Sequence, residues 1–419
     1  MDIHDSLEYK TTLGFNKYQH LHKNPICKKH PESPDRIEIC RSVLQQSGLI
    51  RECQEVNEFP SLDDLDLRQS HSESHVKKLL NEAILMDQES LNHLCEDYDS
   101  VFMTPGSVKA AQQTVSCSRW LAEAIVKNKI PNAFALVRPP GHHANRSSAS
   151  GFCLFNNAAQ AAEAAFDAGA DRILIVDLDV HHGNGTQQIF YEDKRIIILK
   201  FSGLKLSNDY QMSKKNGKGH VISIHRYENG KFWPHLEESN YDYIGDSEGR
   251  GYNVNIPLNE VGCGDADYMA IFWNIIWPLA TQFNPDFTII SAGFDSCDGD
   301  PIGEMRLSPD AYSHIHLPPA CPCSRLNEVG TPGPYTGVSE VSASSSVTPA
   351  EGGVCGDGVV YKWIDFGLPA EIHRLKQWVV IITAYYQWEF IDVFVFYVVT
   401  SHYPLGSQVR QKLALWNRV

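Results

Sequence analysis

Between about residues 134 and 316, short β-branched runs alternate with helical stretches, the pattern of strands buried on both faces of a parallel sheet. The runs are AFALV, RILIVDLD, RIIIL, YNVNI and FTIISAGFD. Between the first two lies NNAAQAAEAAFDAGA, alanine-rich with a polar start and a glycine stop, which predicts a crossover helix. Residues 1–130 read as mainly helical. The expected class is α/β, a single parallel β-sheet with helices on both faces.

From residue 316 the pattern changes. TPGPYTGVSEVSASSSVTPAEGG is linker-like, so the segment 316–419 is expected to be disordered or poorly packed. Its second half holds WVVIITAYYQWEFIDVFVFYVV, residues 378–399. That run is long enough for a bilayer, but Glu389 and Asp392 sit near its centre, where acids are costly. No membrane span is expected; the run reads either as a sticky, aggregation-prone sheet-former or as translated non-coding sequence from an alternative transcript, which would also explain the insertion at about residues 200–222.

The chain has 419 residues, room for one large α/β core plus something extra. Its 36 Lys and Arg against 51 Asp and Glu give a formal charge of −15. That balance argues against direct nucleic-acid binding and suits basic polypeptide partners. No N-terminal stretch has the form of a secretory signal, which predicts a reducing compartment. The 11 cysteines are odd in number and scattered, and the close pair Cys321 and Cys323 lacks the second pair of a structural zinc site, so free thiols are expected.

Strand ends carry the chemistry. In open parallel sheets, ligands sit beyond the carboxyl ends of strands. AFALV runs into Arg138-Pro-Pro-Gly-His142-His143, RILIV into Asp177-Leu-Asp179-Val-His181-His182, and FTIIS into Ala-Gly-Phe-Asp295. Asp179 and His181 stand at i and i+2, so their side chains share a side while the strand persists, and Asp295 can complete a set. Two carboxylates and one imidazole suit a divalent ion, with a fourth position open as in catalytic zinc sites. Packing alone does not account for acids and imidazoles gathered at one buried edge.

RPPGHHA, GFCLFNN, DLDVHHGNGTQ, GDADY and SAGFDSCDGDPIG occur in the order and spacing of the zinc-dependent histone deacetylases, and HPESPDR near residue 30 is similar to that family's opening. The resemblance runs from about 12 to 316. HRYENGKFWP and GHHANRSSASGFCLFNN look most like class II, in particular the class IIb group of the tubulin deacetylase and its polyamine-cleaving relative.

The resemblance implies that Asp179, His181 and Asp295 hold zinc and that His142 and His143 form the acid/base pair, with Asp177 orienting His142 and Asn184 holding His143. Phe152 and Trp233 match the walls of a substrate tunnel, and the Gly151 carbonyl the acceptor for the substrate N–H. Where the polyamine-cleaving relative has glutamate in GDPEG, this chain has Ile302, which favours neutral acetyl-lysine over a cationic substrate. A potassium ion would use Asp177, Asp179, His181, Ser223 and the carbonyl of Ile224. The implied substrates are acetylated proteins such as histone tails or tubulin, with corepressors as candidate partners, in the cytoplasm or nucleus.

Two departures bear on activity. About residues 200–222 a polar, Lys- and Gly-rich insertion, KFSGLKLSNDYQMSKKNGKGHVI, interrupts the family pattern, and the placement of Ser223 and Trp233 depends on whether its flanks still meet. After SPDAYSHI the family's path to its oxyanion-binding tyrosine is lost. AEGGVCG echoes the motif, but Val354 stands at the tyrosine's place. The deacetylase domain is therefore expected to span 1–315 and to lack its last strand and helix. Three readings follow: a zinc-dependent lysine deacetylase, weakened by that loss; a module that binds acetyl-lysine or a partner without cleaving it; and a manganese hydrolase like the related arginases.

Overall fold

The computed structural model describes residues 10–193, 219–315 and 395–400. Eight strands form one sheet: β1 (Thr11–Phe15), β2 (Cys53–Val56), β3 (Asn132–Leu136), β4 (Ile173–Asp177), β5 (Gly219–Arg226), β6 (Asn253–Leu258), β7 (Phe287–Ala292) and β8 (Val395–Thr400). Their order is β2-β1-β3-β8-β7-β4-β5-β6. Every pairing that does not involve β8 is parallel.

Central strands bury both faces, and the side-chain period of two splits each strand between two cores. On β4, Leu174 and Val176 join one apolar cluster with Ile222, Ile224, Ile290, Tyr268 and Phe272. Ile173 and Ile175 join the other, with Phe287, Ile289 and the alanines of the helix Asn157–Asp167. That helix is the crossover expected from the alanine run. It begins where the Asn156 side chain accepts from the Ala159 N–H at 2.9 Å, satisfying one orphan donor of its first turn. Small alanines let it lie close against the long helix Ser107–Val126, whose Cys117, Leu121 and Ile125 share the cluster.

Three features differ from the sequence-based expectation. Residues 1–130 contain two strands: TTLGF has two threonines and a glycine among its five residues, and CQEV is polar and only partly buried, as an edge strand can be, so neither shows a clear apolar strand pattern. The insertion ends earlier than expected. Gly219–Ile222 already belong to β5, which pairs Asp177 with Ser223 across β4 and so keeps the downstream motif in register. The RIIIL run, residues 195–199, lies outside the described residues.

The third difference concerns the end of the chain. The sheet is not wholly parallel, and the segment expected to be poorly packed supplies a central strand. β8 runs antiparallel between β3 and β7, pairing Phe134 with Tyr397 and Ile290 with Tyr397. Without it, both neighbours would present rows of unpaired N–H and C=O groups inside the sheet. Ladder bonds use backbone alone, so an apolar, β-prone run can fill the gap in either direction. Residues 316–394, with Val354, Cys321 and Cys323, lie outside the described residues. The described cysteines are free thiols, as expected.

A chain truncated before residue 395 should therefore lose its single cooperative thermal transition and bind a hydrophobic dye at room temperature. An unchanged melting curve would show that β8 contributes nothing to the sheet.

Candidate metal centre and substrate mouth

β4 and β7 are parallel neighbours, and the loops leaving their carboxyl ends carry Asp179, His181 and Asp295. Ligand atoms from these three residues lie within 4.8 Å of one another. His181 Nδ1 is the meeting point, 3.1 Å from Asp179 Oδ1 and 2.8 Å from Asp295 Oδ2. Backbone donors pin the carboxylates: the His181 N–H donates to Asp179 Oδ1 at 2.7 Å and the Val180 N–H to Asp295 Oδ1 at 2.7 Å. Gly293 makes the approach possible, because a Cβ there would stand 1.9 Å from Asp179 Oδ2. His182, next in sequence, takes no part; it is buried against Gln187 and Ser239 at 3.0 and 2.7 Å.

His142 and His143 follow β3 and close the other side. Nε2 of His142 is 3.8 Å from Asp179 Oδ2, and its Nδ1 is 2.9 Å from Asp177 Oδ2. His143 Nδ1 is 2.7 Å from Asn184 Oδ1. Both partners accept hydrogen bonds, so each Nδ1 carries the proton and each Nε2 presents a lone pair.

Electrostatics separate the three imidazoles. Burial pushes His142 and His143 well below the ordinary histidine range, and the charge of His181 adds to this. Burial works the same way on His181, but its bonds to Asp179 and Asp295 outweigh it and hold the ring well above that range. Burial raises Asp177 strongly, while burial and then the charge of Asp179 push Asp295 up to about 7. Two buried carboxylates, Asp179 and Asp295, thus share one cationic ring, a crowding of acidic groups that a divalent cation would relieve. Two carboxylate oxygens and one imidazole nitrogen fit zinc, which leaves a fourth position for a substrate. Ser223 and Ile224, also named for potassium, lie on β5 beside Asp177, with Ser223 Oγ 2.9 Å from His225 Nδ1.

Aromatic rings surround the opening. Trp233 meets His143 edge-on at 4.5 Å and His181 at 5.7 Å, and its Nε1 donates to Asp99 Oδ2 at 2.9 Å. Gly151 and Phe152 both have left-handed backbones, φ 51° and 67°, held by N–H bonds to the carbonyls of Asp99 and Ser100. Such a conformation strains Phe152 and persists because its neighbours impose it. Gly151 has to be glycine, since a Cβ would sit 2.4 Å from His143 Cδ2 and 2.6 Å from Trp233 Cη2. Ile302 is 43% exposed, and its backbone carbonyl accepts from Arg226 Nη1 at 2.9 Å. Two participants have no signal in the strand-end pattern: Phe232, stacked on His181 at 5.1 Å, and Asp99, which ties Trp233 to the Gly151 loop.

Residues 30–317 match the Histone deacetylase domain. This chain belongs to the histone deacetylase family. Histone deacetylase 6 of Caenorhabditis elegans is 51% identical over 305 residues, 73% of this chain and 29% of that protein. Polyamine deacetylase HDAC10 of Rattus norvegicus is 38% identical over 296 residues, covering 70% and 46%. The chain spans less than half the length of these two curated relatives. Among solved structures, the crystal structure of the HDA15 HD domain superposes with a TM-score of 0.63 at 36% identity, covering 74% of this chain and 78% of that one. The relatives are class II deacetylases, and the deacetylase fold accounts for the parallel, helix-covered sheet. Every residue of the centre lies inside the matched domain. Among the described residues no helix is long and apolar enough to cross a membrane.

Two measurements test this centre. Chelator competition should find one tightly held zinc per chain, with Asp179→Ala binding at least 100-fold more weakly; equal affinity would remove Asp179 from the ligand set. The second concerns His71, whose Nδ1 is 2.9 Å from the Asn145 carbonyl and whose Nε2 accepts from the Asn156 N–H. Burial, then the neighbouring His75, pushes it down to about 3. Its stability contribution is fully present above the unfolded value near 6.5 and is lost as pH falls towards 3. That loss is on the order of 2 kcal/mol at pH 5. His71→Asn should be less stable at pH 7.5 yet lose less on acidification to pH 5, read as the change in denaturation midpoint.

Proposed function

We propose that this chain hydrolyses the acetyl-lysine amide of proteins with zinc held by Asp179, His181 and Asp295. The observation that carries the reading is the convergence of both carboxylates on His181 Nδ1 beside the His142 and His143 imidazoles. Zinc in such a set supplies Lewis acidity, which polarises a carbonyl and lets water ionise near neutral pH.

The chain's own residues supply the rest. His142 Nε2 or His143 Nε2 takes the proton of the attacking water, and Asp177 and Asn184 keep the opposite nitrogens protonated so that those lone pairs stay available. The proton then passes to the departing lysine nitrogen as the C–N bond breaks, giving acetate and free lysine. Phe152 and Trp233 wall the passage for the lysine stem, where a neutral acetamide is cheaper to bury than an ammonium. The Gly151 carbonyl accepts the substrate N–H. Ile302 offers no charge to a polyamine, so acetylated proteins such as histone tails or tubulin are the proposed substrates, and corepressors the proposed partners. Potassium between Asp177, Asp179, His181, Ser223 and the Ile224 carbonyl would support the loop from beneath.

A second reading, an acetyl-lysine-binding module without turnover, rests on the sequence after SPDAYSHI, which departs from the family's path to its oxyanion tyrosine. Loss of a single oxyanion donor costs about 10²–10³ in turnover. The zinc-loaded chain should therefore cleave an acetyl-lysine peptide, more slowly by about that factor than a relative with the tyrosine. His142→Ala should reduce the rate by a further 10²–10⁴ while keeping zinc. Peptide binding with no released acetate would replace the hydrolase reading with the binding one.

A further inference from the structure

Arg226 closes β5 and is almost fully buried. Its guanidinium lies 4.3 Å from the centroid of Phe232, the ring that stacks on His181 at 5.1 Å with an 18° interplanar angle. The guanidinium edges reach the loop 300–304, which carries Ile302. Nη1 donates to the carbonyls of Ile302 and Gly303 at 2.9 and 3.2 Å and meets Glu304 Oε1 at 3.1 Å, while Nε and Nη2 meet Glu228. From the other side, Asp300 Oδ1 accepts from the N–H groups of Ile302 and Gly303 at 2.8 and 2.6 Å. Arg226 also donates its backbone N–H to the Val180 carbonyl at 2.8 Å, between Asp179 and His181.

We propose that Arg226 is a positioning residue that locks the substrate mouth to the metal-ligand loop, so that Ile302 and His181 hold a fixed relation through one side chain. The proposal rests on the metal-hydrolase reading for its meaning in catalysis. Its physical basis is the planar fork. Only a guanidinium can serve carbonyls and carboxylates along its edge while turning a face to an aromatic ring. Glu228 and Glu304, at φ 49° and 50°, are strained residues in the two segments it joins, and its bonds oppose their relaxation. A lysine would keep the charge and lose the lock.

Hydrogen exchange on the metal-free protein tests the lock without substrate. In R226M, amides of 229–233 and of 300–304 should both exchange at least tenfold faster, with the β4 and β7 amides unchanged, and R226K should behave alike. If R226M melts the whole chain, R226K carries the test. Unchanged exchange, or acceleration in only one segment, would overturn the proposal. On the zinc-loaded protein, R226M should bind an acetyl-lysine peptide about tenfold more weakly. Ile302→Ala should add little in the R226M background, because Arg226 acts through that loop; full additivity would overturn the proposal. Absence of peptide binding by the unaltered chain would count against the proposed function, and the exchange result would still decide the role of Arg226.

Discussion

Two buried carboxylates and one imidazole nitrogen held at hydrogen-bond distance are the constraint around which the rest of the structure is arranged. Like charges at that spacing, away from water, repel strongly unless something cationic joins them. The fold holds them there with rigid means: adjacent parallel strands, backbone N–H groups on the carboxylates, and a glycine that leaves room for Asp179. Unfavourable local electrostatics are maintained by favourable packing elsewhere, a common arrangement at functional sites.

The histidines show how environment divides one residue type into three roles. His142 and His143 are buried and neutral, each with its Nδ1 bound to an acceptor, and so present basic nitrogens. His181 faces two carboxylates and is held charged when no metal is bound. His182 and His225 are structural, joined through Ser239, whose hydroxyl meets one ring and whose carbonyl meets the other. Residue type alone does not distinguish these roles; the acceptor or charge at the second ring nitrogen does.

The mouth is built differently from the centre. The candidate ligands Asp179, His181 and Asp295 follow strand ends, whereas Gly151, Phe152, Trp233 and Ile302, proposed to meet the substrate, sit on loops whose shapes depend on contacts distant in sequence. Asp99 holds both the Trp233 indole and the Gly151 backbone, and Arg226 holds the Ile302 loop. Loops carried by a rigid sheet edge can vary in sequence between relatives with little effect on the residues at the strand ends.

Local periodicity made much of this legible from sequence. The i, i+2 spacing of Asp179 and His181, the buried alternation of β4 and the alanine-rich crossover helix are short-range patterns, and short-range patterns survive without knowledge of the fold. The glycine-containing β1 and the polar edge strand β2 left no such mark. The sheet-forming character of the run 378–399 was legible, but the central place and antiparallel direction of β8 were not, because strand direction depends on which backbone gap is open and on no side-chain spacing. The sequence by itself determined which residues could share a metal and on which strand ends they stand. Tertiary structure alone decided that Asp295 closes on His181, that Phe232 covers it, and that Arg226 joins it to the mouth, because those contacts span 6 to 114 positions along the chain and form only when the strands pair.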